Sequence, residues 1–213
     1  MKSKKVLILS LGTGSYALDD EKRALQNDDE YVFKQKHSAY RKANYEINGN
    51  TYSDIPYVAE PLIVETQPDE IVVLGTVKST WSGLYLAFAE DTNHMKQDFK
   101  RLREFDTGKT VVKDGETQKE SLFGLGTSGE DLNLIEKEID DIFAESNLFQ
   151  KMCGKIKTRV FLLRYGIDQN QLEENYHRLG RIRELFMDKD TEYEVSFDIT
   201  HAFRSMSIYN LII

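Results

Sequence analysis

The chain has 213 residues, of which 40% are hydrophobic and 30% charged, a balance that predicts one globular domain and excludes a wholly disordered protein. No run of 18 apolar residues occurs, and the apolar stretch near the N-terminus is too short for a signal peptide, so we expect a cytosolic protein without a membrane span. The net charge of −8 argues against a protein that coats long nucleic acid, and any anion must therefore bind in a compact pocket.

Cysteine and histidine usage argues against disulfides and metal sites. Cys153 is the only cysteine, so an intrachain disulfide is excluded. The four histidines are far apart in sequence and show no metal-binding spacing: His37, His94, His177 and His201. We therefore expect neither a structural metal nor a metal cofactor.

The N-terminal segments predict a buried strand followed by a hairpin. KKVLILSLG (4–12) is an apolar run that ends at a glycine, which is typical of a parallel strand. Polar and apolar residues alternate in YVFKQ (31–35), as in an exposed strand, and again in 44–53. Asn48-Gly49, inside the second segment, predicts a type I′ hairpin turn.

The next segments predict a short helix, a second strand and a long helix. Ser53 is placed to cap a helix through 54–65, which its two prolines shorten or distort. DEIVVLGT (69–76) reads as a second buried strand, and 81–105 is long enough for a helix of several turns.

The third quarter of the chain predicts a small hairpin and an amphipathic helix. TVVKDGETQ (110–118) contains an Asp-Gly turn signal and lies outside the strand–helix alternation. Apolar residues recur at helical spacing in 130–146, where the expected inner face consists of Ile135, Ile139, Ile142 and Phe143.

The last quarter predicts two strands, each followed by a helix. TRVFLLRYG (158–166) and YEVSFDIT (193–200) are the strands, and FRSMSIYNLII (203–213) begins the final helix. Asp168 caps the helix between the two strands, whose expected inner face consists of Leu172, Tyr176, Leu179, Ile182 and Phe186.

This alternation predicts an α/β fold: a Rossmann-like open, mostly parallel sheet with helices on both faces and small β-hairpin insertions. Ligands of such sheets bind beyond the carboxyl ends of the strands, where helix N-termini and glycine-rich turns present N–H groups. Polar segments follow all four strands: LGTGSY (11–16), LGTVKSTW (74–81), LRYG (163–166) and DITHAFRSM (198–206).

The glycine-rich segment has three interpretations. Gly12, Gly14 and Ala17 match the G-x-G-x-x-A fingerprint of dinucleotide-binding proteins. The charge-dense stretch and polar hairpin that follow disfavour nicotinamide or flavin binding, because the fingerprint needs a second apolar strand. A plain tight turn remains open, and a different phosphate or nucleotide contact is favoured.

The segments after the other strands are equally ambiguous when taken singly. Thr200 is a candidate helix cap with Arg204 paired to an acid, and a catalytic triad through Asp198 and His201 is disfavoured because no G-x-S-x-G elbow exists. Trp81 has the spacing of a core residue, but it also follows VKST, where it can stack on a base.

Together the four segments resemble the CRISPR-associated Rossmann fold (CARF) proteins of type III CRISPR systems. The last segment is similar to the D-[IV]-T-H-x-F-R-S-[LM]-P motif of one subfamily, with Ser207 in place of the proline. The resemblance runs from about Val6 to the end of the chain and identifies residues 1–213 as a CARF ligand-sensing domain. Because the chain ends in the apolar YNLII, we expect a truncated protein whose C-terminal effector domain is absent.

The resemblance implies a sensor of cyclic oligoadenylate, the second messenger of type III CRISPR defence. Such domains form homodimers that hold the ring across the two-fold axis, and cyclic tetra-adenylate has matching symmetry. In relatives the ligand allosterically controls a C-terminal effector, often a ribonuclease of the HEPN type. Other relatives are ring nucleases that cleave the ligand without a metal, and here Lys78, His201 and Arg204 would be the catalytic candidates.

The expected ligand contacts come from all four strand exits. Backbone N–H groups and hydroxyls would bind phosphate and ribose, Lys78 and Arg204 would supply charge, and an aromatic ring would stack on adenine. The full set is Gly12, Thr13, Gly14, Ser15, Tyr16, Thr76, Lys78, Ser79, Trp81, Arg164, Tyr165, Thr200, His201, Ala202, Phe203, Arg204 and Ser205. A nucleotide hydrolase or an oxidoreductase is the alternative outside this family.

Overall fold

The computed structural model describes residues 2–12, 25, 28–36, 40–90, 93–120, 127–154, 156–188 and 190–198. Its elements in chain order are β1 (Lys2–Ser10), α1 (Asp29–Gln35), β2 (Ala43–Ile47), β3 (Asn50–Ile55), α2 (Ala59–Thr66), β4 (Glu70–Gly75), α3 (Trp81–Phe88), α4 (Met95–Thr107), β5 (Lys109–Lys113), β6 (Glu116–Glu120), α5 (Gly129–Glu145), α6 (Gln150–Cys153), β7 (Lys157–Leu162), α7 (Gln169–Glu184) and β8 (Thr191–Phe197). None of these helices is both long enough and apolar enough to cross a bilayer.

The four apolar strands form one parallel sheet in the order β7-β4-β1-β8. Val6 of β1 lies opposite Glu70 of β4 and Val195 of β8, so β1 is an interior strand paired on both sides. Two antiparallel hairpins, β2-β3 and β5-β6, stand apart from this sheet. The predicted parallel α/β sheet with small hairpin insertions is confirmed.

Helices pack on both faces of the sheet because alternate strand residues point to opposite sides. One face carries Leu7, Leu9, Ile71 and Val73, which pack with apolar side chains of α1 to α5. The other face carries Val6, Ile8, Val72 and Leu74, which pack with Leu179 and Ile182 of α7. The chain thus leaves β4 along one face and leaves β7 along the other.

Both predicted hairpin turns are confirmed. Asn48 and Gly49 have φ of 51° and 81°, and Asp114 and Gly115 have φ of 52° and 80°. A type I′ turn needs positive φ at both central residues, which Asn-Gly and Asp-Gly adopt at low cost.

The strand-like reading of 31–35 is wrong. These residues lie in α1, whose N-terminus is capped by the Asp28 carboxylate; the carboxylate accepts the N–H of Glu30 (3.0 Å) and of Tyr31 (3.1 Å). Phe33 packs on Phe99 of α4 with ring centroids 5.4 Å apart, and this contact makes a helix the better solution.

Three further local predictions are wrong. Ser53 lies within β3 and caps no helix, since α2 begins later, at Ala59. The segment 81–105 forms two helices, α3 and α4, rather than one. Tyr176 of α7 is 55% exposed, so it does not belong to the inner face of that helix.

The helix caps and inner faces of α5 and α7 otherwise follow the sequence. Asp168 caps α7 by accepting the N–H of Gln171 at 2.8 Å. Ile135, Ile139 and Phe143 of α5 are buried in the core, as are Leu179 and Ile182 of α7.

One edge of the described sheet, strand β7, is covered by carboxylates from α5. Asp140 accepts the backbone N–H of Val160 at 2.7 Å, and Glu136 accepts that of Leu162 at 2.8 Å. The two acids lie one helical turn apart and so match alternate residues of the strand. They satisfy donors that an edge strand otherwise offers to another chain.

A buried acid ties three strands together near their amino ends. Glu70 at the start of β4 is 2% exposed and binds Lys4 of β1 at 2.5 Å and Arg159 of β7. Burial acts to raise the pKa of Glu70, but the two cations outweigh it, so the pKa lies below its ordinary value.

Candidate functional site

The carboxyl ends of all four strands lie along one edge of the sheet, which we call the carboxyl edge. Sheet hydrogen bonding continues one residue beyond the strands: Leu11 and Leu163 donate N–H groups to β4, each at 2.7 Å, and Asp198 donates to β1 at 2.8 Å. Among the described residues the carboxyl edge comprises 10–12, 76–80, 163–166 and Asp198. The described parts of the four predicted strand exits therefore lie along one edge of the sheet.

A crevice is expected between the exits of β4 and β7. The chain leaves β4 into α3, whose Trp81 and Leu84 join the core on one face, and leaves β7 into α7, whose Leu179 and Ile182 join the core on the other. Where neighbouring parallel strands send their connections to opposite faces, the loops diverge and a ligand can enter between them. This geometry predicts that 76–80 and 163–166 line the opening between the two strand exits.

The exits of β1 and β4 are fastened together by buried hydrogen bonds, which we call the β1–β4 clasp. The Ser79 hydroxyl donates to the Leu11 carbonyl at 2.6 Å and accepts the Thr76 N–H at 2.9 Å. The N–H of Thr80 donates to the Gly12 carbonyl at 2.8 Å. Ser79 is 0% exposed, so the expectation that its hydroxyl contacts a ligand is wrong: it is used inside the protein.

Trp81 is a core residue and not an adenine platform. Its side chain is fully buried, its ring lies 6.1 Å from that of Phe143, and its Nε1 donates to the Thr76 carbonyl at 2.9 Å. The predicted stacking on a base is wrong because neither ring face is accessible. Trp81 instead holds the loop that follows β4.

The N-terminus of α3 is already occupied by an acid from the protein. The Asp106 carboxylate accepts the N–H groups of Trp81 (3.1 Å) and Ser82 (2.9 Å) and the Ser82 hydroxyl. Burial raises the pKa of Asp106 to about 7, although these hydrogen bonds act in the opposite direction. A ligand phosphate therefore cannot use this helix N-terminus, and no spacing in the sequence signals Asp106.

Three buried hydroxyls at the carboxyl edge make no hydrogen bond of ordinary geometry within the described part of the chain: those of Ser10, Thr76 and Tyr165. They come from the exits of three adjacent strands. Burial raises the pKa of Tyr165, while the nearby Thr76 side chain and Lys78 N–H act to lower it. Since buried polar atoms normally find partners, these hydroxyls mark a place suited to a polar ligand. Sequence reasoning missed Ser10, whose only signal is its position as the last residue of the strand.

The two predicted cations at the edge differ in their surroundings. Lys78 is partly exposed, and its ammonium group forms no ion pair with the residues that the structure describes. The Arg164 side chain is 10% exposed and pairs with Glu174 of α7 at 2.7 Å. Lys78 is thus ready to meet an anion, whereas Arg164 must first leave its partner.

The remaining predicted contacts lie outside the described residues. They are Thr13, Gly14, Ser15, Tyr16, Thr200, His201, Ala202, Phe203, Arg204 and Ser205. Within the described ranges, no group of three His, Cys, Asp or Glu side chains is arranged to hold a metal ion.

The chain matches no protein-family model. It is 30% identical over 206 residues to the CRISPR-associated protein MJ1674 of Methanocaldococcus jannaschii. The chain is a homologue of a CRISPR-associated protein. The match covers 96% of this chain but 27% of the relative, so the chain spans about a quarter of that protein's length.

Proposed function

We propose that the chain is a CARF domain that senses cyclic oligoadenylate, with cyclic tetra-adenylate as the favoured ring, in type III CRISPR defence. The proposal includes a homodimer that holds the ring across its two-fold axis, and allosteric control of an effector domain elsewhere in the full protein. The observation that carries it is the position of Tyr165, from the exit of β7, beside the Thr76 side chain and the Lys78 backbone N–H, from the exit of β4. The similarity to a CRISPR-associated protein also supports a role in CRISPR defence.

The chemistry of the carboxyl edge suits a compact polyanion. Lys78 forms no ion pair with the described residues, and the buried hydroxyls of Ser10, Thr76 and Tyr165 make no hydrogen bond of ordinary geometry among them, although Tyr165 lies beside Thr76. Since Trp81 is buried, Tyr165 and Tyr16 remain as candidates for the adenine wall, and Tyr165 is partly exposed. In a dimer each contact is used twice, which lets an acidic protein hold four phosphates.

Substitution of Lys78 tests this proposal. Lys78→Gln removes the charge and no described ion pair, so the unfolding temperature of the free protein should be unchanged. The affinity for cyclic tetra-adenylate should fall about tenfold for each lost phosphate contact and about a hundredfold in a symmetric dimer. Lys100→Gln, on the exposed surface of α4, is the matched control and should bind as the unaltered protein does. Equal affinity for Lys78→Gln and Lys100→Gln would remove Lys78 from the site.

A ring nuclease is the second candidate function, and it is favoured by the position of Lys78, which lies at the carboxyl edge and forms no ion pair with the described residues. In that reaction a ribose 2′-hydroxyl attacks the adjacent phosphorus, the bond to the 5′-oxygen breaks, and the 5′-oxygen takes up the proton. Lys78, with His201 and Arg204, would stabilise the charge that develops on the phosphate oxygens. Incubation of labelled cyclic tetra-adenylate decides between the two: linear products show cleavage, and an unchanged ring after many hours shows binding alone.

A further inference from the structure

Arg164 lies at the carboxyl edge, where Asn175 holds its backbone and Glu174 pairs with its guanidinium group. The Asn175 side chain of α7 accepts the Arg164 N–H at 2.6 Å and donates to the Arg164 carbonyl at 3.0 Å. The guanidinium Nε donates to Glu174 at 2.7 Å. Because Asn175 holds the main chain from both sides, the guanidinium can change partners while the Arg164 backbone stays in place.

Glu174 serves two arginines with its two oxygens. Oε2 accepts from Arg164, and Oε1 accepts from Arg178 Nε at 3.0 Å. Burial acts to raise the pKa of Glu174, but the two guanidinium groups outweigh it and the pKa lies below its ordinary value. If Arg164 leaves, Arg178 still neutralises the carboxylate, so no unpaired buried charge results.

Arg178 is held independently of Glu174. Its Nη2 donates to Asn133 at 2.9 Å and to the Gly129 carbonyl at 3.4 Å, and its Nη1 pairs with Glu136 at 3.4 Å. These three partners belong to α5, so Arg178 joins α7 to α5 whether or not Arg164 is bound. The Arg164–Glu174 pair at the carboxyl edge is therefore the contact that can break without releasing Arg178.

We propose that Glu174 is a positioning residue that acts through Arg164, as a resident counter-ion that a phosphate of the ligand displaces. The proposal rests on the proposed function, because it needs an anionic ligand at the carboxyl edge. In the free protein Glu174 holds the guanidinium beside α7. In the complex Arg164 turns to the phosphate while Asn175 keeps its backbone fixed. The cost of breaking the Arg164–Glu174 pair lowers the affinity for every anion that uses Arg164.

Neutralising Glu174 tests this inference by calorimetric titration with cyclic tetra-adenylate. Glu174→Gln keeps the shape of the side chain and an oxygen for Arg178 but removes the charge that competes with phosphate. The affinity should rise about tenfold for each Arg164–Glu174 pair that no longer has to be broken, and about a hundredfold in a symmetric dimer. Glu173→Gln, one residue earlier on the exposed side of α7, has the same change in net charge and should leave the affinity within about twofold.

A double substitution separates the positioning role from a structural one. In an Arg164→Ala background, Glu174→Gln should no longer change the affinity, because its effect passes through Arg164. Unchanged or weakened binding by Glu174→Gln alone, with the unaltered protein binding normally, overturns this inference and leaves the proposed function intact. Failure of the unaltered protein to bind the ring overturns both.

Discussion

Replacing Ser79 by alanine distinguishes an internal clasp from a ligand contact. In the structure the Ser79 hydroxyl bridges the Leu11 carbonyl and the Thr76 N–H, and all three residues are buried. Ser79→Ala therefore leaves one buried donor and one buried acceptor without their partner. Each such group costs about 1–3 kcal/mol, so the free energy of unfolding should fall by about 2–6 kcal/mol. That is a large share of the total stability of an ordinary domain.

Urea denaturation followed by circular dichroism measures this loss. Ser53→Ala, at an exposed position on β3, is the control and should change the free energy of unfolding by less than about 0.5 kcal/mol. The affinity of Ser79→Ala for the ligand should fall only because the loop at 76–80 is held less firmly, since the Ser79 hydroxyl itself does not contact the ligand. A variant as stable as the unaltered protein that nevertheless fails to bind cyclic tetra-adenylate would refute the clasp and return Ser79 to the ligand contacts.

Further predictions concern the packing and titration of the fold. Gly83→Ala places a Cβ 2.1 Å from the Tyr57 hydroxyl, so the variant should lose about 2–3 kcal/mol of stability in thermal unfolding. Gly180→Ala, where a Cβ meets nothing within 4 Å, should gain about 0.5–1 kcal/mol. The pKa of Glu70 is lowered on folding, so its contribution to stability is present above its ordinary pKa and lost as the pH falls through the folded value; Glu70→Gln should abolish this acid dependence. The pKa of Asp106 is raised to about 7. Ionisation of Asp106 should therefore lower the free energy of unfolding by up to about 4 kcal/mol as the pH rises from 4 to 7. Urea denaturation of Asp106→Asn at several pH values across this range should not show this fall.

The fold is largely predictable because its two interior strands, β1 and β4, are buried on both faces. The apolar runs at 4–12 and 69–76 have no polar face, which is typical of interior parallel strands and is difficult to mistake. The prediction for 31–35 is wrong because five residues are too few to distinguish the period of a strand from that of a helix. The packing of Phe33 on Phe99 favours the helix. The prediction of one helix over 81–105 is wrong because the chain has a polar run, EDTNH (90–94), between the end of α3 and the start of α4, and such residues favour a loop.

The site is predictable as a place but not as a set of contacts. Parallel strand exits had to meet at one edge, so the grouping of 76–80 with 163–166 follows from the strand pattern alone. Tertiary contacts decide which hydroxyl points into the protein. The Ser79 hydroxyl binds the carbonyl of Leu11, which is 68 positions away in the chain. The roles of Asp106 and Glu174 could not be predicted for the same reason, because each carboxylate accepts hydrogen bonds from residues that only folding brings close to it.

Calorimetric titration of the protein with cyclic tetra-adenylate tests the central proposal most directly. Linear tetra-adenylate and NAD in parallel titrations serve as controls for ring closure and for a dinucleotide site. We expect tight binding of the ring at one ring per two chains, much weaker binding of the linear form and none of NAD. Binding of NAD without binding of the ring would contradict the account, as would the absence of heat with every ligand.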